Sequence, residues 1–218
     1  MSHVFIVGGS GQVAKKLIEK LSKSSTPVTA MYRNESQEGD LEALGAIPVH
    51  ADITQITTDD LAQLLKDSQA DTVVFSAGAG GKGGQEATTL VDGKGLELAV
   101  NATKKSGIKK FILVSAFPEA GRSKGLGENF EHYIQIKKQS EYFLIQSGLE
   151  WLILRPGTLL NDEGTGLVNI GLALPYGTIT RDDVATTLAA LIQSSGLKYK
   201  ILELTQGNET IETALEKV

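Results

Sequence analysis

The sequence contains no cysteine, which removes disulfide staples, thiolate nucleophiles and cysteine-ligated zinc from consideration. It also lacks an excess of basic charge. Lys and Arg number 21 against 26 Asp and Glu, a formal net charge of −5, so no positive field draws a nucleic-acid backbone. Long apolar runs are missing: no stretch reaches the roughly 18 residues of a membrane span. The first apolar run, residues 4–7, is too short for a secretory leader and leads straight into a glycine turn. The histidines His3, His50 and His132 are not spaced as metal ligands, so no metal is expected. These absences point to a cytoplasmic protein, monomer or homodimer, whose partner is a small molecule, with no nucleic acid and no membrane.

What is present is the balance of an ordinary globular chain, 41% hydrophobic and 22% charged over 218 residues. No linker, low-complexity tract or internal repeat divides it, so residues 1–218 are read as one domain. Short apolar runs predict strands at 3–7, 27–32, 47–50, 72–78, 109–115, 150–155 and 200–205. Between them lie stretches of helical period. Residues 11–23 place Val13, Leu17, Ile18 and Leu21 on one face, and residues 57–68 open with Thr57 and Thr58 followed by acids. Further helices are expected at about 89–105, 128–146 and 180–194, with a short one at the end. This βα alternation, with strands apolar throughout, predicts an α/β fold: a doubly wound parallel sheet of the Rossmann type in three α/β/α layers. Residues 157–176 break the rhythm and are expected to form a small C-terminal substrate cap, the cap segment running to about residue 180.

"FIVGGSGQVAKKL" sets Gly8, Gly11 and Ala14 at the spacing GxxGxxA between the first strand and the first helix. Gly8 permits the tight turn, Gly11 lets backbone approach a pyrophosphate, and Ala14 lets helix and strand pack closely. Ser10 belongs to the same turn, and the free amides near Gln12 and Val13 face the anion. At the first βα crossover the pattern reads as a dinucleotide site; a purely structural turn is the alternative. A site that prefers NAD carries an acid near the end of the second strand, about 20 residues on. Here that strand ends "AMYRN", with Arg33 in place and no acid before Glu35. A guanidinium pairs with a 2′-phosphate, which favours NADP and leaves NAD open; a solvated surface arginine is the other reading.

The motif "VGGSGQVA", "HADIT" around Asp52, "FSAGAGG", "FILVSAF", "YIQIKKQSEYFLIQSGLEWLILRPGTL" and the late "ITRDDVA" together resemble an atypical short-chain dehydrogenase/reductase. The resemblance covers nearly the whole chain and is nearest to the small NAD(P)-binding proteins related to flavin/biliverdin reductase and nitrogen-metabolite-repression regulator-like proteins. It implies that Asp52 and Ile53 contact the adenine, that Ala77 and Gly78 lie against its ribose, and that Arg155, Pro156 and Gly157 meet the nicotinamide end. The plainer alternatives are that Asp52 caps its own turn and Gly78 ends a strand. Where family members usually carry an asparagine of a proton relay, this chain has Asp92.

Tyr133 and Lys137 form a YxxxK pair, four residues apart on one helix face, and Ser115 ends the fifth strand where it can face them. In that arrangement Tyr133 protonates a carbonyl oxygen as hydride arrives, Lys137 lowers the phenol pKa and binds the nicotinamide ribose, and Ser115 holds the substrate oxygen. An amphipathic helix with an exposed tyrosine and a neighbouring lysine is the competing explanation. The segment 76–85, with its five glycines, is either a mobile loop at the site entrance or a plain surface loop. Residues 117–127 and 157–176 are expected to shape the substrate pocket. Three functions follow: an NADPH-dependent reductase of a small carbonyl-like or conjugated acceptor, a non-catalytic NAD(P)-sensing protein, or an epimerase/dehydratase that recycles its nicotinamide.

Overall fold

Side chains on successive strand residues point to opposite faces, so a strand buried on both faces reads as a near-continuous apolar run. The first strand, β1 (Val4–Val7), sends Val4 and Ile6 into one core and Phe5 and Val7 into another. The computed structural model describes residues 2–119 and 125–218. Its other strands are β2 (Val28–Tyr32), β3 (Ile47–His50), β4 (Thr72–Phe75), β5 (Lys110–Val114), β6 (Glu150–Pro156), β7 (Thr158–Leu160), β8 (Leu167–Gly171), β9 (Thr178–Thr180), β10 (Lys200–Gln206) and β11 (Glu209–Thr210). The main sheet runs β3-β2-β1-β4-β5-β6-β10, all parallel, and is extended by β8 and β11. The strand order reverses beside β1, which opens a crevice at the carboxyl ends of β1 and β4, where doubly wound sheets take ligands.

Helices cover both faces. On one side α1 (Gln12–Lys23) packs against α7 (Arg181–Gln193), with α8 (Ile211–Leu215) in the same core. On the other side α3 (Thr58–Asp67) packs against α5 (Gly95–Ser106), with α6 (Glu128–Ile145) beside them. The short α2 (Glu38–Ala43) follows β2, and α4 (Gly84–Thr88) precedes α5. The helix expected over 89–105 is not uniform: residues Thr89–Lys94 form a π-helical turn that puts Asp92 inside, and α5 starts after it. Such turns insert one extra residue and re-aim a side chain, here an ionisable one. Among the described residues no helix is long and apolar enough to cross a membrane, and no cluster of metal-ligating side chains occurs.

The segment 157–180 is more ordered than its sequence suggests. β8 pairs antiparallel with β10, and β7 and β9 form a separate two-stranded parallel ribbon. Local pattern cannot show this, because β7 and β9 have only three residues each and the partner of β8 lies some 30 residues downstream. The segment is anchored by Asp183, 1% exposed, which does more than complement the dipole of α7. Its carboxylate accepts hydrogen bonds from the backbone amides of Gly166 (2.8 Å) and Thr165 (3.0 Å) and from Thr180 Oγ1 (2.9 Å). Thr180 Oγ1 in turn accepts from the amide of Asp183 at 3.0 Å, capping the helix. Asp183→Ala takes the acceptor from the buried Thr180 hydroxyl and from the two amides, and urea denaturation should show a loss of about 2–4 kcal/mol; a loss within ~0.5 kcal/mol, typical of surface changes, would show that the anchor is dispensable.

Candidate functional site

At the turn after β1, Gly8 adopts φ +85°, and a Cβ there would lie 2.6 Å from both Cα and N of Ala77. No other residue fits. Gly9, which sequence reasoning passed over although it stands in the same "VGGSG", is equally confined: a Cβ would meet that of Ala30 at 2.7 Å. The turn is closed by hydrogen bonds from Gly9 N to Met31 O (2.8 Å) and from Gly11 N to Gly8 O (3.1 Å). Gly11 caps α1 without a side-chain bond, and the first turn holds no acid, so the leading amides of the helix are left to a ligand. Ala14, fully buried, lets α1 settle on the sheet. These features fit a diphosphate: backbone close enough to touch it, donors to bind it, and no competing anion.

A cavity of about 630 Å³ passes this turn, lined by Gly8, Ser10 and Gly11. Across it stand Arg33, Asp52, Ile53, Ala77 and Gly78. The structure thus gathers the residues expected at the adenosine end. The guanidinium of Arg33 is exposed and has no partner among the described residues, while its carbonyl accepts from His50 Nε2 at 2.8 Å. Asp52 Oδ1 accepts from Thr54 N (2.9 Å) and Thr54 Oγ1 (2.8 Å), so this carboxylate closes its own turn and also borders the cavity. Gly80, Gly81, Gly83 and Gly84 all have positive φ, giving residues 79–84 a backbone that side chains resist.

A second cavity, about 910 Å³, shares Ser10, Gly11 and residues 76–79 with the first and extends over Gln12 and Val13 to Ser115, Tyr133 and Lys137. The three residues of the expected reaction centre therefore meet, but their bonding differs from the expectation. Lys137 is 3% exposed, donates to Val114 O at 3.2 Å and lies 3.6 Å from Asp92 Oδ1. Its charge is matched by Asp92, whose Oδ2 accepts from Ala79 N at 2.9 Å and so fixes the backbone after β4. Ser115 Oγ donates to Glu141 Oε1 at 2.6 Å. That carboxylate is gripped by Arg155, through Nε (2.9 Å) and Nη2 (2.5 Å). With its proton committed to Glu141, Ser115 presents its lone pairs to the cavity.

Tyr133 carries the largest correction. Lys137 was expected to lower its pKa. Instead burial, and after it the carboxylates of Asp92 and Glu141, hold the phenol well above the usual tyrosine range. Pro156 is buried at the end of β6 and lines neither cavity. Glu141 and Arg155 were missed as a pair. The signal was present in part, since Tyr133, Lys137 and Glu141 follow one another at four-residue steps along α6. Of the expected pocket loop 117–127, residues 120–124 lie outside the described residues.

A family model described as NAD(P)H-binding matches residues 8–202. "Uncharacterized sugar epimerase YhfK" of Bacillus subtilis is 36% identical over 99% of this chain and 99% of its own length. A solved structure from Bacillus halodurans described as "Putative NAD-dependent epimerase/dehydratase" superposes with a TM-score of 0.90 at 32% identity, covering 100% of both chains. The oxidoreductase ylbE of Lactococcus lactis follows at 0.83 and 28%, covering 99% of this chain and 96% of its own.

The electrostatics of Tyr133 can be read directly by following phenolate absorbance against pH, with Tyr133→Phe as the blank. The phenolate of Tyr133 should appear only above the ordinary pKa of about 10. Asp92→Asn removes one carboxylate and leaves the Lys137 charge uncompensated, so it should move the titration down. A Tyr133 that ionises at or below the ordinary value would contradict the combined effect of burial and the carboxylates.

Proposed function

This chain belongs to the NAD(P)H-binding family, and from that premise we propose that it is an NADPH-preferring reductase of a small carbonyl-like or conjugated acceptor. The observation that carries the proposal is geometric: the cavity that continues from the diphosphate cradle brings Ser115, Tyr133 and Lys137 together at its far end. When bound, the dinucleotide supplies hydride at its nicotinamide end. The amides at the start of α1 hold the diphosphate, and Arg33 faces the 2′-phosphate. Tyr133 releases the proton that the acceptor takes up on reduction. Lys137, tied to Asp92 and Val114 O, keeps α6 and the segment after β4 in register around that phenol. Residues 157–180 serve as the substrate cap: Leu159 lines the cavity, and Tyr176 packs edge-on against Phe117 with ring centroids 5.4 Å apart.

A second reading, an epimerase or dehydratase that recycles its nicotinamide, is favoured by the descriptions of the B. subtilis and B. halodurans relatives. Its first half-reaction takes a proton from a hydroxyl and therefore needs a base. Burial and the carboxylates around Tyr133 disfavour phenolate, the starting form of such a base and equally the form that a reductase's acid leaves behind, so they do not choose between the two readings. The two readings part on stoichiometry: a reductase consumes one NADPH per product, whereas an epimerase changes its substrate with no net loss of dinucleotide.

Under the reductase reading, Tyr133→Phe should slow acceptor reduction by roughly 10²–10⁴-fold with NADPH affinity nearly unchanged; unchanged turnover removes Tyr133 from the chemistry. Arg33→Ala should weaken NADPH binding by about tenfold and leave NADH binding as it was. Equal weakening of both in side-by-side titrations would undo the 2′-phosphate assignment.

A further inference from the structure

The first residue of α7 is a cation placed where the helix dipole disfavours one. Arg181 lines the larger cavity beside Ser10, Gly11 and Gln12, so it shares one space with the start of α1. Its Nη1 donates to Leu159 O (3.1 Å) and Asn161 Oδ1 (2.8 Å), both neutral. Among the described residues, Nε and Nη2 make no hydrogen bond and no carboxylate pairs with the group. The adjacent acids are engaged elsewhere: Asp182 with Lys20 (2.9 Å) and Lys16 (3.5 Å), Asp183 with the amides of Thr165 and Gly166. Lys137, in the same cavity, is matched by Asp92, whereas Arg181 is not matched. The two bonds it makes need a donor but no charge, so the local fold gives no use for the charge.

We propose that Arg181 binds an anionic oxygen in this site, foremost the dinucleotide's diphosphate where it leaves the α1 amides. The proposal rests on dinucleotide binding, not on the direction of catalysis. The same chemistry suits a carboxylate or phosphate on the acceptor, and the experiment separates the two sources. Arg181→Gln keeps a long donor for Leu159 O and removes the charge; Arg181→Lys keeps the charge.

Fluorescence titrations of the full chain with NADPH and NADH at two ionic strengths give the first readout. Arg181→Gln should weaken both dinucleotides about tenfold and flatten the salt dependence, with Arg181→Lys recovering most of the loss. Arg33→Ala, by contrast, should touch NADPH alone. Unchanged affinities with a raised KM for an anionic acceptor, but not for a neutral one, place the anion on the acceptor. The second readout needs no variant: NADH should shield Arg181 of the unaltered protein from an arginine-directed reagent such as phenylglyoxal, followed by peptide mass spectrometry. The proposal is overturned if neither dinucleotides nor anionic acceptors shield Arg181. It is equally overturned if a folded Arg181→Gln binds both dinucleotides and handles both acceptor types like the unaltered protein.

Discussion

Ala77 approaches the turn after β1 so closely that no side chain fits on Gly8, and this contact between two adjacent strand ends organises the site. Because β1 and β4 are neighbours in the sheet, their following segments are forced together, and only a bare backbone allows it. The bareness leaves the first amides of α1 open and lets an extended ligand lie across the strand ends. The second glycine of the turn, pressed on Ala30, fixes the same segment from the other side. Ligand binding and close packing are thus one constraint met by the same glycines.

Beyond the cradle, the chemistry is set by charges that the helix α6 carries into the interior. A buried ion is tolerated when it is paired and hydrogen-bonded, and each one here is. Lys137 meets Asp92, and Glu141 meets Arg155 and Ser115. The pairing uses up the lysine charge and the serine proton, two resources that a tyrosine base would draw upon. What remains for Tyr133 is a half-buried phenol facing carboxylates, an environment that disfavours phenolate. The π-helical turn that brings Asp92 inside therefore sets the charge balance around Lys137 and Tyr133 as well as the local fold.

The carboxyl-terminal third closes the structure around this centre. β8 and β11 extend the sheet past β10, while the β7–β9 ribbon and Asp183 hold the connecting segments against α7. Glu203 on β10 accepts from Leu174 N at 2.6 Å and lies 3.9 Å from Arg155, which links the outer loop to the buried pair beneath it. One run of polar contacts thus reaches from the loop before β9 to Ser115.

The sequence by itself determined the layer architecture, because continuous apolar runs such as "VFIV" and "VVF" suit strands covered on both faces. It determined the glycine turn too, since the spacing of Gly8, Gly11 and Ala14 is a local backbone requirement. It brought Ser115, Tyr133 and Lys137 forward as one group, the latter two through helical period alone. The tertiary structure decided what those side chains do. Whether Lys137 lowers the phenol pKa depends on Asp92, 45 residues away, and the direction of the Ser115 proton depends on Glu141 and Arg155. It also decided that residues 167–171 are a strand, through a partner remote in the chain. Local pattern records backbone preference and burial. Electrostatic pairing and strand partnership are set by distances between segments, and those exist only once the chain has folded.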